Sequence, residues 1–517
     1  IAPYFTPDTI VLAHNAAFDL GQLTAMLRRY RLPVPKLRSC CTVQMARRRF
    51  LRTLYGSYTL DTITRAFSIP LLQHHDALCD ARACFELFRC LRTEYGDDPR
   101  DVRPYRGNQK QAQQARTRQG FSVVTMDDLH RRSLQVLVAD EATLPAAPRY
   151  RIARIDDLMG VMSRARQGAG KQAKVLFYDG HTHRKVGEVA TGHAPHLMDF
   201  HPTEPRWVYV RDDAGWVHKV DLYSMRATRK VRAGLNGTSL AVSRDGRYVA
   251  AGSYVPHTVV ILDADTLEPR HLIELAGVDP DGRMVEADAG IIAATPSANR
   301  FVVALEQAGQ VWIIDLDRPG MPITAIKGVG RHLHDGFFSP DGRYFVVSSY
   351  DDHLNTVIDL NEARIVRKIP AGCKPHLGSG AVVRTGGRVL GFGTNIGEAD
   401  CKSFEVTVFD MDSFDVVKRI PVIGPTESPA AHPDAPYVIV DIVGTGPDAN
   451  KLQFIDKQTL EVARTLEVAG TLGHSHFPEY TARGDAFYVS ARYRGDRSMG
   501  APGGQLAIFD SRTLRQI

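Results

Sequence analysis

At 517 residues the chain is long enough for about two to four domains, which excludes a single small module. Hydrophobic residues make up 44% and charged residues 24%, a globular composition that excludes wholesale disorder, a collagen-like chain and a coiled coil. The net charge of +6 is mild for this length and does not by itself argue for nucleic acid. No stretch approaches the run of about 18 apolar residues that a membrane span needs. The N-terminus has no basic segment followed by an apolar one, although the chain opens at Ile1 and this weighs little.

The cysteines predict two unlike halves. Cys40, Cys41, Cys79, Cys84 and Cys90 crowd the N-terminal part, and only Cys373 and Cys401 follow. The odd total and the adjacent Cys40-Cys41 pair argue against a disulfide framework. Without any C-x-x-C-H run, a covalently attached c-type haem is excluded within this chain.

In chain order, Ile10-Val11-Leu12-Ala13 reads as a strand. Phe18, Leu23, Met26 and Leu27, and later Ala77, Ala81, Cys84, Phe88 and Leu91, fall at helical spacing. Residues 1–97 are therefore expected to form an α/β domain. From 98 to 150 the apolar periodicity fades, Gln and Arg accumulate, and a basic linker followed by a strap is expected, with Val136-Leu137-Val138 inside the strap.

Residues 151–517 repeat. An apolar strand closing on Asp recurs at Val175–Asp179, Val217–Asp221, Val259–Asp263, Val311–Asp315, Val357–Asp359, Val406–Asp410, Leu452–Asp456 and Leu506–Asp510. Between copies stand turn phrases such as Ser243-Arg244-Asp245-Gly246 and Ser339-Pro340-Asp341-Gly342, in which Gly accepts positive φ and Asp caps its own backbone. The copies are roughly 42 to 54 residues apart, the size of one four-stranded blade, so the repeats predict an all-β eight-bladed propeller with an axial channel.

Two constellations carry chemistry. The run Leu12-Ala13-His14-Asn15-Ala16-Ala17-Phe18-Asp19-Leu20, with His75-Asp76-Ala77-Leu78-Cys79-Asp80-Ala81, resembles the 3′–5′ exonucleases of the DEDDh class over about residues 8–95. The resemblance implies a ribonuclease H-like fold acting on nucleic acid. It makes Asp19 and Asp80 ligands of Mg²⁺ or Mn²⁺ and His75 the general base that deprotonates the attacking water. The family's opening Asp-x-Glu is missing ahead of Ile10, so the expectation is a truncated and inactive exonuclease fold.

The second constellation is three histidines read as loop residues: His196 in Ala194-Pro195-His196, His334 in His332-Leu333-His334-Asp335-Gly336, and His376 in Lys374-Pro375-His376-Leu377-Gly378. With the blade pattern, these phrases resemble the haem d1 domain of cytochrome cd1 nitrite reductase and of the proteins that mature haem d1, over about residues 150–517. The resemblance implies His196 as proximal iron ligand and His334 and His376 as a distal catalytic pair. It sets Arg211 against the carboxylates of the cofactor; a turn-exposed ion pair of Arg211 with Asp212 or Asp213 is the alternative.

Within that family, nitrite reduction to nitric oxide competes with oxidation of a side chain on the haem d1 precursor. Pro375–Gly380, Leu222-Tyr223-Ser224 and Val255-Pro256-His257-Thr258 look closer to the second branch. Nitrite reduction also needs electrons, for which the resemblance implies a c-type cytochrome as donor. The propeller family implies the periplasm, and the nuclease resemblance implies the cytoplasm. The alternatives are an exonuclease with an appended propeller and a non-enzymatic propeller scaffold.

Overall fold

The computed structural model describes residues 9–16, 37–49, 58–67, 77–96, 98–104, 136–163, 173–397, 403–444, 447–468, 474–492 and 505–517, with single positions at 19, 20, 23, 24, 27, 69, 71 and 401. The chain divides into two compact units, one formed mainly by residues 1–134 and the other mainly by 135–517. No helix among the described residues is long and apolar enough to cross a membrane.

In the first unit, β1 (Ile10–Ala13) runs parallel to β2 (Arg38–Cys41), and β3 (Val102–Pro104) joins the other edge of β2 antiparallel. Helices α1 (Thr42–Arg49), α2 (Leu60–Ala66) and α3 (Ala77–Tyr95) bury Met45, Ile63, Cys84, Leu87 and Leu91 in one core with Cys40. Of the positions read at helical spacing in α3, Cys84 and Leu91 are buried, Phe88 is half-buried and Ala81 is exposed; the buried stripe runs through Ala83, Cys84, Leu87 and Leu91. The expected boundary at residue 97 is corrected. β3 belongs to this sheet, and buried Asp101 holds Arg48 and Arg49 at 2.5 Å each. The Gln-rich run from 109 to 118 lies outside the described residues.

The second unit is an eight-bladed β-propeller. Blades 2 to 7 are four-stranded, and their first strands are Pro195–Phe200, Leu235–Val242, Ala289–Ala294, Leu333–Phe338, Pro375–Thr385 and Pro429–Ala430. From blade 4 to blade 8 the first strands of neighbouring blades touch, which makes them the wall of the axial channel. Blade 8 holds His474–Tyr480, Ala486–Arg492 and Gln505–Asp510, and blade 1 holds Leu158–Ser163, Lys174–Asp179 and Lys185–Ala190. The ring meets itself where His183 Nδ1 lies 3.2 Å from the Tyr488 hydroxyl and Tyr178 packs edge-on against the Tyr488 ring. Val136–Leu137 forms a fifth strand outside Arg226–Arg232 of blade 2, so the strap belongs to the propeller.

Each repeated Asp closes its strand for a local reason. In blade 7, Asp456 Oδ1 accepts the Gln458 and Thr459 N–H groups at 2.9 Å each, and Leu460 N–H donates to Asp456 O at 2.9 Å. The same pattern recurs at Asp263, Asp410 and Asp510. Four residues after the Asp, a non-glycine residue takes positive φ: Leu267, Phe414, Leu460 and Leu514. The carboxylate thus offsets a backbone conformation costing about 1 kcal/mol or more.

The hydrophobic core is distributed between blades. Ile261 of blade 3 packs with Phe301 and Trp312 of blade 4, and Phe454 of blade 7 with Phe487 and Phe509 of blade 8. The expectation of no disulfide framework needs one correction. Cys373 and Cys401 are disulfide-bonded while Cys40, Cys41, Cys79, Cys84 and Cys90 are free, because the blade 6 hairpin returns a cysteine 28 residues later to the same end of the blade.

Asp456→Ala is expected to lower stability by about 1–3 kcal/mol, since it orphans two turn N–H groups, and Asp456→Asn, which keeps an acceptor, by much less. Thermal unfolding of the two variants beside the parent chain checks this; equal losses would make charge rather than hydrogen bonding the cause.

Candidate functional site

The site begins with a shared irregularity of the channel wall. The innermost strands of blades 2, 5, 6 and 8 lose register near their starts, between Pro195 and Leu197, Leu333 and Gly336, His376 and Ala381, and His476 and Glu479. Each break carries a histidine: His196, His334, His376 and His476. The reading of the first three as loop residues is thereby corrected, since they lie in strands, at bulges that re-aim a side chain. Blades 2 and 6 are half a turn apart in an eightfold ring, so His196 stands across the axis from His376.

His334 and His376 are brought together. Their rings lie 5.1 Å apart, and Tyr350 stacks on His334 at 4.7 Å. Between them sits Asp335, whose Oδ1 is 2.9 Å from His334 Nδ1 and whose Oδ2 is 2.8 Å from His376 Nδ1. Gly378 N–H also donates to Oδ2 at 3.1 Å. His376 Nδ1 donates in addition to Glu427 O at 2.8 Å. With Nδ1 so engaged, Nε2 of His376 is the atom left for chemistry.

The electrostatics follow from this arrangement. Burial alone would depress His376, but Asp335 and the hydrogen bonds outweigh it and raise the imidazolium to about 9. Burial alone would raise Asp335, yet the two imidazoles hold its carboxyl far below the usual range. His334, Asp335 and His376 are also the one grouping among the described residues whose donor atoms lie close enough to hold a metal ion.

Sequence reasoning missed two members of this wall. Asp335 stood in the phrase that carried His334 and received no role. His476 faces Glu427 Oε2 at 3.2 Å through Nδ1, and buried Asp441 ties both segments by accepting the N–H groups of Glu427 and Ser428 at 2.9 Å and of Phe477 at 3.1 Å. The run Gly473-His474-Ser475-His476 was the available signal. His196 is half-buried, with Nδ1 3.1 Å from Asp213 Oδ1.

Arg211 is not the turn-exposed residue of the alternative reading. It is 0% exposed and bonds Ser253 Oγ at 2.6 Å through Nη2, while Nε and Nη1 have no hydrogen-bond partner among the described residues. A Cβ on Gly237 would fall 2.1 Å from Arg211 Nε, so glycine is what admits the guanidinium. Burial pulls Arg211 down to about 10, a value at which it is still charged at neutral pH.

In the first unit, burial pushes the Cys84 thiol up to about 11 against a hydrogen bond with Thr42, with smaller contributions from Cys41, Asp19 and Asp80. Burial also raises the Asp19 carboxyl. His14 is held by Thr42 Oγ1 and Tyr58 O at 2.8 Å each. His75 lies outside the described residues.

Comparison with known proteins agrees with both halves. A family profile described as the cytochrome D1 heme domain matches residues 155–517, and one described as exonuclease matches residues 2–88. The dihydro-heme d1 dehydrogenase of Pseudomonas aeruginosa is 31% identical over 387 residues, covering 75% of this chain and 73% of that protein. The protein NirF of Stutzerimonas stutzeri is 28% identical over 63% of this chain and 80% of its own length. A solved structure of the dihydro-heme d1 dehydrogenase NirN in complex with DHE superposes with a TM-score of 0.67 at 26% identity, covering 90% of each chain. The chain belongs to the cytochrome d1 haem domain family, here with an N-terminal segment, residues 2–88, that matches the exonuclease profile.

Because the folded pKa of His376, about 9, exceeds the unfolded value of about 6.5, the Asp335–His376 pair stabilises fully below about pH 6.5. That stabilisation is lost as pH rises through about 9. Melting temperatures from pH 6 to 10 should show the gap between the parent chain and Asp335→Asn narrowing over that interval; a constant gap would contradict the pairing.

Proposed function

We propose that the propeller binds dihydro-haem d1 in its axial channel and oxidises it to haem d1. The observation that carries this reading is the second imidazole–carboxylate pair, His476 with Glu427, beside the pair held by Asp335. Reducing nitrite asks the protein for proton donors alone, whereas dehydrogenation releases protons and asks for an acceptor.

The residues present fit such a ligand. Arg211 is a buried cation with two N–H positions that have no partner among the described residues, suited to a carboxylate, and His196 offers a half-buried imidazole across the ring. His196 would hold the iron and Arg211 a carboxylate side chain. Bound there, the haem supplies the iron and conjugated ring that take up electrons. His376, held as the imidazolium, orients an anionic substituent, and His476, oriented by Glu427, accepts the proton leaving carbon. Overall, dihydro-haem d1 gives up two protons and two electrons, and the electrons pass one at a time to an external carrier such as a c-type cytochrome.

Mixing the purified chain with dihydro-haem d1 under anaerobic conditions tests the reading. The parent chain should show a stoichiometric shift of the iron bands and conversion to haem d1. His196→Ala should lose the shift, and His476→Ala should bind normally and convert about 10²–10⁴-fold more slowly. Binding with nitrite turnover in place of conversion would move the function to nitrite reduction, and no binding would leave a scaffold.

For the N-terminal half, the match of residues 2–88 to the exonuclease profile favours a second reading, with Asp19 and Asp80 as carboxylates of an Mg²⁺ or Mn²⁺ site acting on nucleic acid and His75 as base. Mn²⁺-dependent trimming of a 3′-ended single strand that disappears in Asp80→Asn would support it. A parent chain inert with either ion would leave a fold without this chemistry.

A further inference from the structure

Two carboxylates of the channel wall have no part in the site described above. Asp199 and Glu479 are the penultimate residues of the innermost strands of blade 2, Pro195–Phe200, and blade 8, His474–Tyr480. Each follows a histidine of the site by three residues, His196 and His476. Across the register breaks the advance is shorter than three extended residues, Glu479 lying two partner residues beyond His476, about 7 Å at about 3.3 Å per residue, and each carboxylate stands toward the strand end opposite the imidazoles.

Their surroundings match. Asp199 pairs across the sheet with Tyr209, and Glu479 with Tyr488. Both tyrosine hydroxyls are committed elsewhere, to Ala264 O at 2.8 Å and to His183 at 3.2 Å. Neither carboxylate has an ion-pair partner among the described residues. Asp199 accepts backbone N–H groups alone, that of Val242 at 2.8 Å on Oδ2 and that of Phe200. Glu479 is exposed on its inner strand, and desolvation raises its carboxyl to about 7. Burial raises Asp199 to about 6 against its backbone hydrogen bonds.

Asp199 also lines a cavity of about 450 Å³ beyond the ends of the inner strands of blades 2, 3 and 4, with Phe200, Leu240, Val242 and Ile292. Arg244 is the one cation on that wall and is exposed at its rim. A carboxylate that is neither paired nor fully hydrated lowers stability, so its place on the wall calls for a function.

We propose that Asp199 and Glu479 are proton-exchanging groups of the axial channel, passing protons between the imidazole end and the opposite mouth. The inference rests on the dehydrogenation reading, which frees two protons per substrate inside the ring. Each transfer is an O–H bond made on one carboxylate oxygen as the bond to its donor, an imidazolium or a water, breaks. No electron moves in this step.

Two measurements on the full chain test it. In haem-free protein, the infrared carbonyl band of protonated carboxyls should contain components titrating near pH 6 and pH 7. Asp199→Asn should remove the first and Glu479→Gln the second, with melting temperatures unchanged or raised. With dihydro-haem d1 in dilute buffer, each variant should bind as the parent does and convert about tenfold more slowly, with the rate restored by a small diffusible buffer. Carboxyl bands untouched by either substitution, or conversion insensitive to both in dilute buffer, would overturn the proposal. A parent chain that binds without converting would instead remove the dehydrogenation reading, and the infrared titration would still decide whether these two groups take up protons.

Discussion

A twisted four-stranded sheet with apolar side chains on both faces cannot stand in water alone, and this constraint governs the propeller. Val302 and Val346, like Phe454 and Phe487, are buried against the neighbouring blade, so no blade has a face to spare and the sheets must close into a ring. Closure leaves the axial strands as the place where side chains escape packing. The four histidines stand on such strands, at register breaks, because a bulge frees a residue from the alternation that would bury it.

The fold was legible because its signal is local and repeated. The strand-final Asp is an acceptor that its own turn requires, so it recurs wherever the turn recurs, and Asp179, Asp221, Asp263 and Asp410 can be read without knowing what they pack against. Less legible was whatever depends on residues distant in sequence. Arg211 reads as a turn residue until Ser253 and Gly237 are seen to enclose it. Cys373 and Cys401 look unrelated until a hairpin aligns them. Strand β3 follows a helix and a charged stretch, and only its pairing with β2 assigns it to the first unit.

The same distinction divides the site. His196, His334 and His376 were found because each sits in a recognisable phrase. Asp335 was in view and had no role, since a carboxylate next to a histidine in sequence is usually a neighbour and not a partner. Its role appears only when His376, on the next blade, reaches its second oxygen at 2.8 Å. His476 depends on Asp441, a buried carboxylate that fixes two strand starts through backbone N–H groups, and a sequence carries no trace of that tie.

Carboxylates in the ring therefore fall into three physical states. Strand-final aspartates are saturated by backbone donors and Arg side chains and stay ionised, as Asp359 does beside Arg343. Asp335 lies between two imidazoles and stays ionised against its own burial, which fixes the orientation of both rings and keeps His376 charged. Asp199 and Glu479 have no cation partner among the described residues, and desolvation raises their carboxyls to about 6 and about 7. Orientation needs a carboxylate that does not change charge, and proton exchange needs one that does. On the proposed reading the two kinds stand on different inner strands, Asp335 on blade 5 and Asp199 and Glu479 on blades 2 and 8, so the charge beside His334 and His376 stays fixed while protons are exchanged elsewhere on the wall.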